Sequence, residues 1–470
     1  MDFTKRVIYL IIGPALFAAC ALGLSDVFGG PGAQAVGTLL WMVFWWVSRP
    51  VDLTVTALLP IPVNALFSIV PMADVISQYF SESIVLVFGS CLLTVPWKAT
   101  GFDRRVAYKI LAVVGPSLTS QLVVWFVASM LFSAVLPNIA VVSLFCPLAL
   151  AMFRAAGYEG LRDCPSGPPI FLAICWGTVL GGIITPLGGA MNVTAISLLQ
   201  EQLGIEVMYL DWIIRFLPYT IVTMLVFFGM MMAMFRKVEP LKGSKEFFRE
   251  GYKAMGKIKA DEAMVGIFFA VAFLGALCRP LFAGILPNLV PAYIFVAMGM
   301  LSFIFTYKKQ PLMGWDDAQK GVMWGMMYLF AGGLAIGTLI NGSGATSVIA
   351  TILQGFSLDG GITTIIVFVL LACLISELTS STVSSAVTVP LVIALTTQLG
   401  LNPIPYWCIV VMAFDAEFLL PVSIRAVPAG YGLEAGHMLK YGLPMMVARI
   451  VIIIVMGYLL MQFWPTFSVL

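Results

Sequence analysis

LISELTSSTVSSAVTVPLVIALTTQLG, residues Leu374 to Gly400, decides how this chain is read. Its two ends are apolar. Its centre is crowded with hydroxyls: Thr379, Ser380, Ser381, Thr382, Ser384 and Ser385. It lies in a region without Lys or Arg from Val322 to Ile424, yet it is too interrupted for one clean spanning helix. The physical reading is a helical hairpin that enters a membrane, turns at a polar tip and leaves by the same side. Irregular backbone at membrane depth is tolerated only where it is buried in protein or lines a polar cavity. The hydroxyl-rich turn is therefore a candidate binding site.

The stretch has a counterpart. Shifted by 243 residues, Leu131 to Gly157, LFSAVLPNIAVVSLFCPLALAMFRAAG, falls on it without a gap. Ser133 meets Ser376, Pro147 meets Pro390 and Gly157 meets Gly400, and the tip Pro137-Asn138-Ile139 falls on Ser380-Ser381-Thr382. Matching interrupted segments in two halves of a membrane chain are the best sequence pointer to a transporter's central site.

Composition sets the class. The 470 residues are 61% hydrophobic and 10% charged, with mean hydropathy +1.02, which excludes a soluble globular protein. Apolar runs of roughly 20 residues recur along the whole chain, the length a membrane helix needs. A net charge of +2 implies no nucleic-acid partner. The eight cysteines have no metal-type spacing and read as packing residues. The single histidine, His437, cannot build a metal cluster. Lys5 and Arg6 precede an apolar run with no signal-type cleavage site, so a first membrane helix is expected.

Eleven spans follow in order, about Val7–Asp26, Val36–Ser48, Leu53–Val70, Ser83–Pro96, Pro169–Leu199, Ile213–Phe235, Ala263–Leu281, Pro291–Thr306, Met323–Ile340, Pro405–Gly436 and Tyr441–Phe463. The fifth is broken by GGIITPLGGAMN and the tenth by LLPVSIRAVPAG. Pro71–Phe80 and the long polar Arg236–Glu262 read as loops. The positive-inside rule then orients the chain. With the N-terminus inside, Arg49, Arg104, Arg105, the stretch Arg236–Lys259, Lys308, Lys309, Lys320 and Lys440 are cytoplasmic, and the C-terminus ends outside. The first hairpin enters from the cytoplasm and the second from outside. The fold class is thus an all-α polytopic membrane protein with about eleven transmembrane helices, two opposed re-entrant hairpins and inverted repeats.

At this point the residues resemble a family, the divalent anion/sodium symporters of dicarboxylates, citrate or sulfate. The likeness covers nearly the whole chain: LLWMVFWWVSRPVDLTVTALLPI is similar to the family's early helices, and GWDDAQKGVMWGMMYLFAGGLAIG to its ninth helix and the approach to it. FDAEFLLPVSIRAVPAGYG stands where the family has its second broken helix. In that family hairpin tips carry Ser-Asn-Thr and broken helices carry Thr-Pro-Pro-Asn. This chain departs at all four: Pro137-Asn138-Ile139, Ser380-Ser381-Thr382, Gly189-Ala190-Met191-Asn192 and Ile424-Arg425-Ala426-Val427. The resemblance implies a divergent member that works as an elevator and pairs as a homodimer in a bacterial plasma membrane. It implies scaffold helices at 1–116 and 263–358, transport regions at 117–236 and 359–470, and a cytoplasmic loop at 237–262.

The substrate set expected is Pro137, Asn138, Ile139, Gly189, Asn192, Ser380, Ser381, Thr382, Ile424 and Arg425. Helix N-termini at opposed tips receive anions without a dedicated cation, and hydroxyls and the Asn138 amide add donors. These hydroxyls can instead bond neighbouring carbonyls. An intramembrane Arg usually faces a cavity or a partner, so Arg425 contacts the anion, forms an ion pair with Asp415 or Glu417, or lies at another depth than the spans assign it. Asp415, Glu417 and Glu377 are candidates for proton carriage or charge balance. By resemblance, Na+ as the coupling ion uses Ser133, Asn138 and Gly188 at one site and Ser376, Ser381 and Ser423 at another. No other cofactor and no metal is expected.

The function expected is secondary active, cation-coupled transport of a small, divalent organic anion: a dicarboxylate, tricarboxylate or sulfonate. Sodium-independent exchange and proton coupling stay open, and a channel is a further alternative. A membrane enzyme would want clustered Asp or His, which this chain lacks.

Overall fold

Two helices meet at each hairpin. Leu118–Ser133 runs to a tip at 134–137 and Asn138–Ala155 returns from it. Ile362–Leu378 and Ser381–Gln398 make the second hairpin. Proline has no N–H to donate back to the preceding turn, so Pro137 ends one limb and, at φ −55° and ψ 138°, caps the next. The computed structural model describes all residues except 1–2, 114, 116, 355–358, 379–380 and 420–422. The side chains of 190, 244, 349–350, 352–354, 378 and 423 also lie outside the description.

The 243-residue shift extends beyond the hairpins. It carries Asn138–Ala155 onto Ser381–Gln398 and the amphipathic helix Phe102–Leu111 onto Ala345–Gln354. Apolar runs broken at the same places by Pro and Gly fold into the same elements.

Among the described residues nine helices are long and apolar enough to cross a membrane, and two of these are hairpin limbs. The remaining expected spans are short or interrupted. Leu53–Phe67 and Pro291–Ile304 are short. The fifth consists of Gly167–Gly181, a turn at Pro186–Gly188 and Ala190–Leu203. The tenth consists of Pro403–Ala413, a turn at Ser423–Arg425 and only Ala426–Gly430. Gly432, at φ 102°, stops that second limb, and the last helix starts early, at Ala435.

Three expectations need correction. The second span begins at Ser25, because the chain kinks at Gly29 (φ 72°) and Pro31 sits where a new helical run opens. Pro71–Phe80 holds the helix Met72–Gln78. The polar connection Arg236–Glu262 contains the amphipathic helix Ser244–Ala254, whose Phe247 and Phe248 rings pack on Tyr108. A two-residue turn with Lys308 and Lys309 at positive φ also closes a minimal strand pair, Thr306–Tyr307 with Gln310–Pro311.

Contacts between connections fall in two sets. One joins Arg6 to Pro50, Thr54 to Gly325, Arg105 to Glu262 and Gln121 to Leu241. The other joins Gln78 to Glu201, Glu82 to Tyr293, Glu206 to Arg279, Arg215 to Val469 and Asn402 to Ser468. Helices Glu82–Thr100, Tyr209–Phe235 and Ala260–Leu277 each have one end in each set. At 1.5 Å per residue such helices are roughly 27–40 Å long, a bilayer core or more, so the sets mark two opposite faces. Gln121 puts the first hairpin's open end on the first face. Asn402 puts the second hairpin's on the other. The hairpins are opposed, and their tips meet between the faces.

Small residues allow the close approaches. A Cβ on Gly332 would run into the backbone of Ala57, and one on Gly333 would lie 2.9 Å from the Ala386 Cβ of the second hairpin. Glycine at these positions lets one helix contact both the early helices and the hairpin.

Candidate binding cavity

The first tip is closed by its own residues. The Ser133 hydroxyl donates to Asn138 Oδ1 at 2.5 Å, and Asn138 Nδ2 donates across to Asp415 Oδ2 at 3.1 Å. Gly182 lies against this contact. A Cβ there would sit 2.9 Å from both Asn138 Oδ1 and Asp415 Oδ2, so only glycine allows the first broken helix to pass. From the second tip, the Ser381 hydroxyl lies 2.9 Å from Asp415 Oδ1 and 2.6 Å from Glu417 Oε1, and its N–H donates to the same Glu417 oxygen at 3.2 Å.

Broken helices free backbone groups that need partners in a membrane. At the first break Asn192 Nδ2 donates to the carbonyls of Gly182 (2.6 Å) and Thr185 (3.0 Å), and Trp212 Nε1 donates to Ile183 O at 2.8 Å. Charged groups do this work at the second break. Glu377 Oε1 accepts from the N–H groups of Phe418 and Leu419, and Ser376 donates to Phe414 O. Arg449 donates to the carbonyls of Met412 and Asp415 and, at 2.7 Å, to the Tyr219 hydroxyl.

Arg425 pairs with Glu377, Nη1 to Oε2 at 3.1 Å. The expected partners, Asp415 and Glu417, turn instead to the hairpin tips. Spacing along the chain suggested those two acids because they are near in sequence, whereas the fold brings Glu377 from the second hairpin alongside.

Between the tips lies a cavity of about 290 Å³. Of the expected residues, Pro137, Asn138, Ile139, Gly189, Ser381, Thr382, Ile424 and Glu417 line it. Asn192 and Arg425, expected to hold substrate, are not on its wall: Asn192 is committed to the carbonyls of the break and Arg425 to Glu377. Ser133, Gly188, Ser376, Asp415 and Glu377 lie behind the wall. Ser380 and the Ser423 side chain lie outside the described residues.

The opposite wall was not foreseen. It comes from the early helices and the ninth span: Arg49, Asp52, Leu53, Thr54, Gly325, Met326, Leu329 and Phe330. Arg49 is the only Lys or Arg among the described lining residues. It sits just past the helix Ser25–Ser48 with φ 51°, is exposed, and belongs to the first face. The two-residue link between Arg49 and Asp52, whose carboxylate caps Leu53–Thr56, was the available signal. Gly182 and Arg449 were also missed. A separate cavity of about 360 Å³ is walled by Glu82 and Glu206, touches neither tip and has no Lys or Arg among its described lining residues; the cavity at the tips sets Arg49 against Asp52 and Glu417.

The wall can receive negative charge. The N-termini of Asn138–Ala155, Ser381–Gln398 and Ala190–Leu203 all reach it through Asn138, Ser381 and Gly189. Each such end is worth on the order of 0.3–1 kcal/mol for an anion, more when partly buried. Desolvating a carboxylate costs several kcal/mol, so the helix ends alone do not suffice. Arg49 supplies one full positive charge at the mouth. Among the described residues no group of three or more metal-ligating His, Cys, Asp and Glu occurs.

A family model described as "Citrate transporter" matches residues 43–414 and, a second time, 293–465. The sodium-dependent dicarboxylate transporter SdcS of Staphylococcus aureus (strain MRSA252) is 25% identical over 484 aligned positions, covering 97% of this chain and 92% of its own. SdcS of Staphylococcus saprophyticus is 24% identical over 476 positions, covering 97% and 91%. Among solved structures, the YdaH transporter of Alcanivorax borkumensis is similar in fold, with TM-score 0.54, 13% identity and coverage of 86% of this chain and 89% of that one.

Proposed function

The chain belongs to the citrate transporter family, and from that premise we propose that it is a sodium-coupled carrier of a small dicarboxylate or tricarboxylate. It is a membrane transporter and not an enzyme. The observation that carries the substrate reading is the cavity between the hairpin tips, where three helix N-termini and Arg49 converge. The relatives named for sodium-dependent dicarboxylate transport support the same substrate and ion.

In this reading the backbone N–H groups at Asn138–Ile139 and Gly189–Met191 and the hydroxyl of Thr382 receive one carboxylate. Arg49 steers the anion into the mouth and partners the other. Phe330, Leu329 and Met326 form the apolar floor that a hydrocarbon spacer requires. Sodium ions sit behind the tips on Ser133, Asn138 and Gly188 and on Ser376, Ser381 and Ser423.

The first face carries Arg49, Arg104, Arg105, the Arg236–Lys259 stretch, Lys308 and Lys309, which supports a cytoplasmic assignment. The exposed wall residues Arg49 and Asp52 are on that side, so the cavity opens inward. Transport then requires the two hairpins and broken helices to carry the site past the early helices and the ninth span, as an elevator does.

Counterflow in proteoliposomes tests the reading. Labelled succinate, citrate, sulfate and a sulfonate are offered with and without a sodium gradient. Saturable, sodium-stimulated exchange of a carboxylate is expected, with the half-saturating concentration raised about tenfold or more in Arg49→Gln. Sulfate alone, sodium-indifferent exchange, or non-saturating electrical conductance would overturn it.

A further inference from the structure

Asp415 and Glu417 are 1% and 2% exposed, and both reach the Ser381 hydroxyl, at 2.9 and 2.6 Å. A serine hydroxyl has one hydrogen to donate. It can satisfy one of these carboxylates, which leaves the other facing an oxygen with nothing between them. The second oxygen of Glu417 has no hydrogen-bond partner among the described residues, although it is buried and its residue lines the cavity.

Charge leads to the same place. The described buried ionic groups around the second break are Glu377, Asp415, Glu417, Arg425 and Arg449. Arg425 is paired with Glu377. Arg449 directs its donors to a hydroxyl and to main-chain carbonyls. Three carboxylates against two guanidiniums leave one negative charge, and an uncompensated buried charge costs several kcal/mol.

We propose that Asp415, Glu417 and the Ser381 hydroxyl form a binding site for one monovalent cation, sodium. The inference rests on the transporter reading and adds a carboxylate-built site to the neutral oxygen sets expected behind the tips. Hard oxygen ligands suit a hard cation, and one such ion cancels the surplus charge. Glu417 faces the cavity. Without the cation it repels an incoming dianion, and with it the same wall is neutral. The second hairpin tip contributes to the site through Ser381, and the first adjoins it through the Asn138 amide, which donates to Asp415.

The test needs no substrate, so it can fail independently of the counterflow experiment. Full-length protein is melted in detergent over a sodium chloride series with ionic strength held constant by choline chloride, and 22Na+ binding is measured in parallel. Sodium is expected to raise the melting temperature saturably. Glu417→Gln and Asp415→Asn are each expected to raise the half-saturating sodium concentration at least tenfold, and Ser381→Ala to raise it less. Glu201→Gln, remote from the cluster, serves as the control. In choline alone Glu417→Gln is expected to melt higher than wild type, because it removes the uncompensated charge; this also shows that the variant folds. The proposal is overturned if both carboxylate variants bind sodium like wild type, if choline or potassium stabilises equally, if acidification replaces sodium, or if Glu417→Gln melts lower than wild type in choline.

Discussion

Glu377 serves two purposes at once. It accepts the N–H groups of Phe418 and Leu419, which the second break leaves without helical partners, and it neutralises Arg425. Arg425 is 2% exposed, and its Nε and Nη2 have no partner among the described residues. The guanidinium therefore depends heavily on this one carboxylate. Removing one member of a buried ion pair costs about 3–5 kcal/mol, whereas replacing both with apolar residues is often nearly neutral. Arg425→Met alone is expected to lower thermal stability by that order. In the double variant Glu377→Met/Arg425→Met stability should return only in part, because the two backbone N–H groups stay unserved. Melting curves of the single and double variants check this. Since Arg425 is off the cavity wall, residual transport by the double variant should keep its half-saturating anion concentration. A tenfold rise there would mean that Arg425 contacts substrate.

At the scale of elements, the two broken helices are not equivalent. The first continues for a full limb, Ala190–Leu203, and presents a helix N-terminus to the cavity. The second stops after Ala426–Gly430, too short for an appreciable end charge. Its break is held by Glu377 and Arg449, and the first by the neutral Asn192. One broken helix thus offers helix polarity to the anion while the other concentrates ionised side chains. Gly182 sets the distance between them. The Cβ of Gly182→Ala would press on both partners of the Asn138–Asp415 hydrogen bond. The expected result is a loss of apparent sodium affinity on the order of tenfold, equivalent to about 1.4 kcal/mol, with the expression level retained. Sodium titration of uptake measures it, and an unchanged titration would mean that the tip and Asp415 can part without consequence.

Across the whole molecule, contacts sort into two faces, with the exposed basic residues mostly on one. Arg215 and Arg279 lie on the other face, but both are buried and ion-paired, to Asp211 and Glu206. They are held as parts of the fold and do not weigh as free loop charges. Orientation can be checked by labelling single cysteines in a variant lacking Cys278, which is exposed, while the other cysteines are buried. Lys245→Cys should react only with reagent on the cytoplasmic side, and Gly284→Cys only from outside. The reverse pattern would invert the assignment and make the cavity outward-facing.

The sequence by itself determined the membrane class, both hairpins, both breaks and the repeat. Each is written locally, as an apolar run interrupted by Pro, Gly or hydroxyl residues, and the same interruptions 243 residues apart produce the same elements. It also determined most of one cavity wall, since Asn138, Gly189, Ser381 and Thr382 sit at those interruptions. Tertiary structure decided what distance along the chain conceals. Arg425 chose Glu377, 48 residues away, over two nearer acids. Asn192, expected to hold substrate, donates to carbonyls of the first break, and Arg449 supports the second break. Arg49, read as a cytoplasmic loop charge, became the cation at the cavity mouth. A buried charge takes whichever partner the packed helices bring within reach, because leaving it unpaired costs several kcal/mol, and that choice exists only after remote helices have docked.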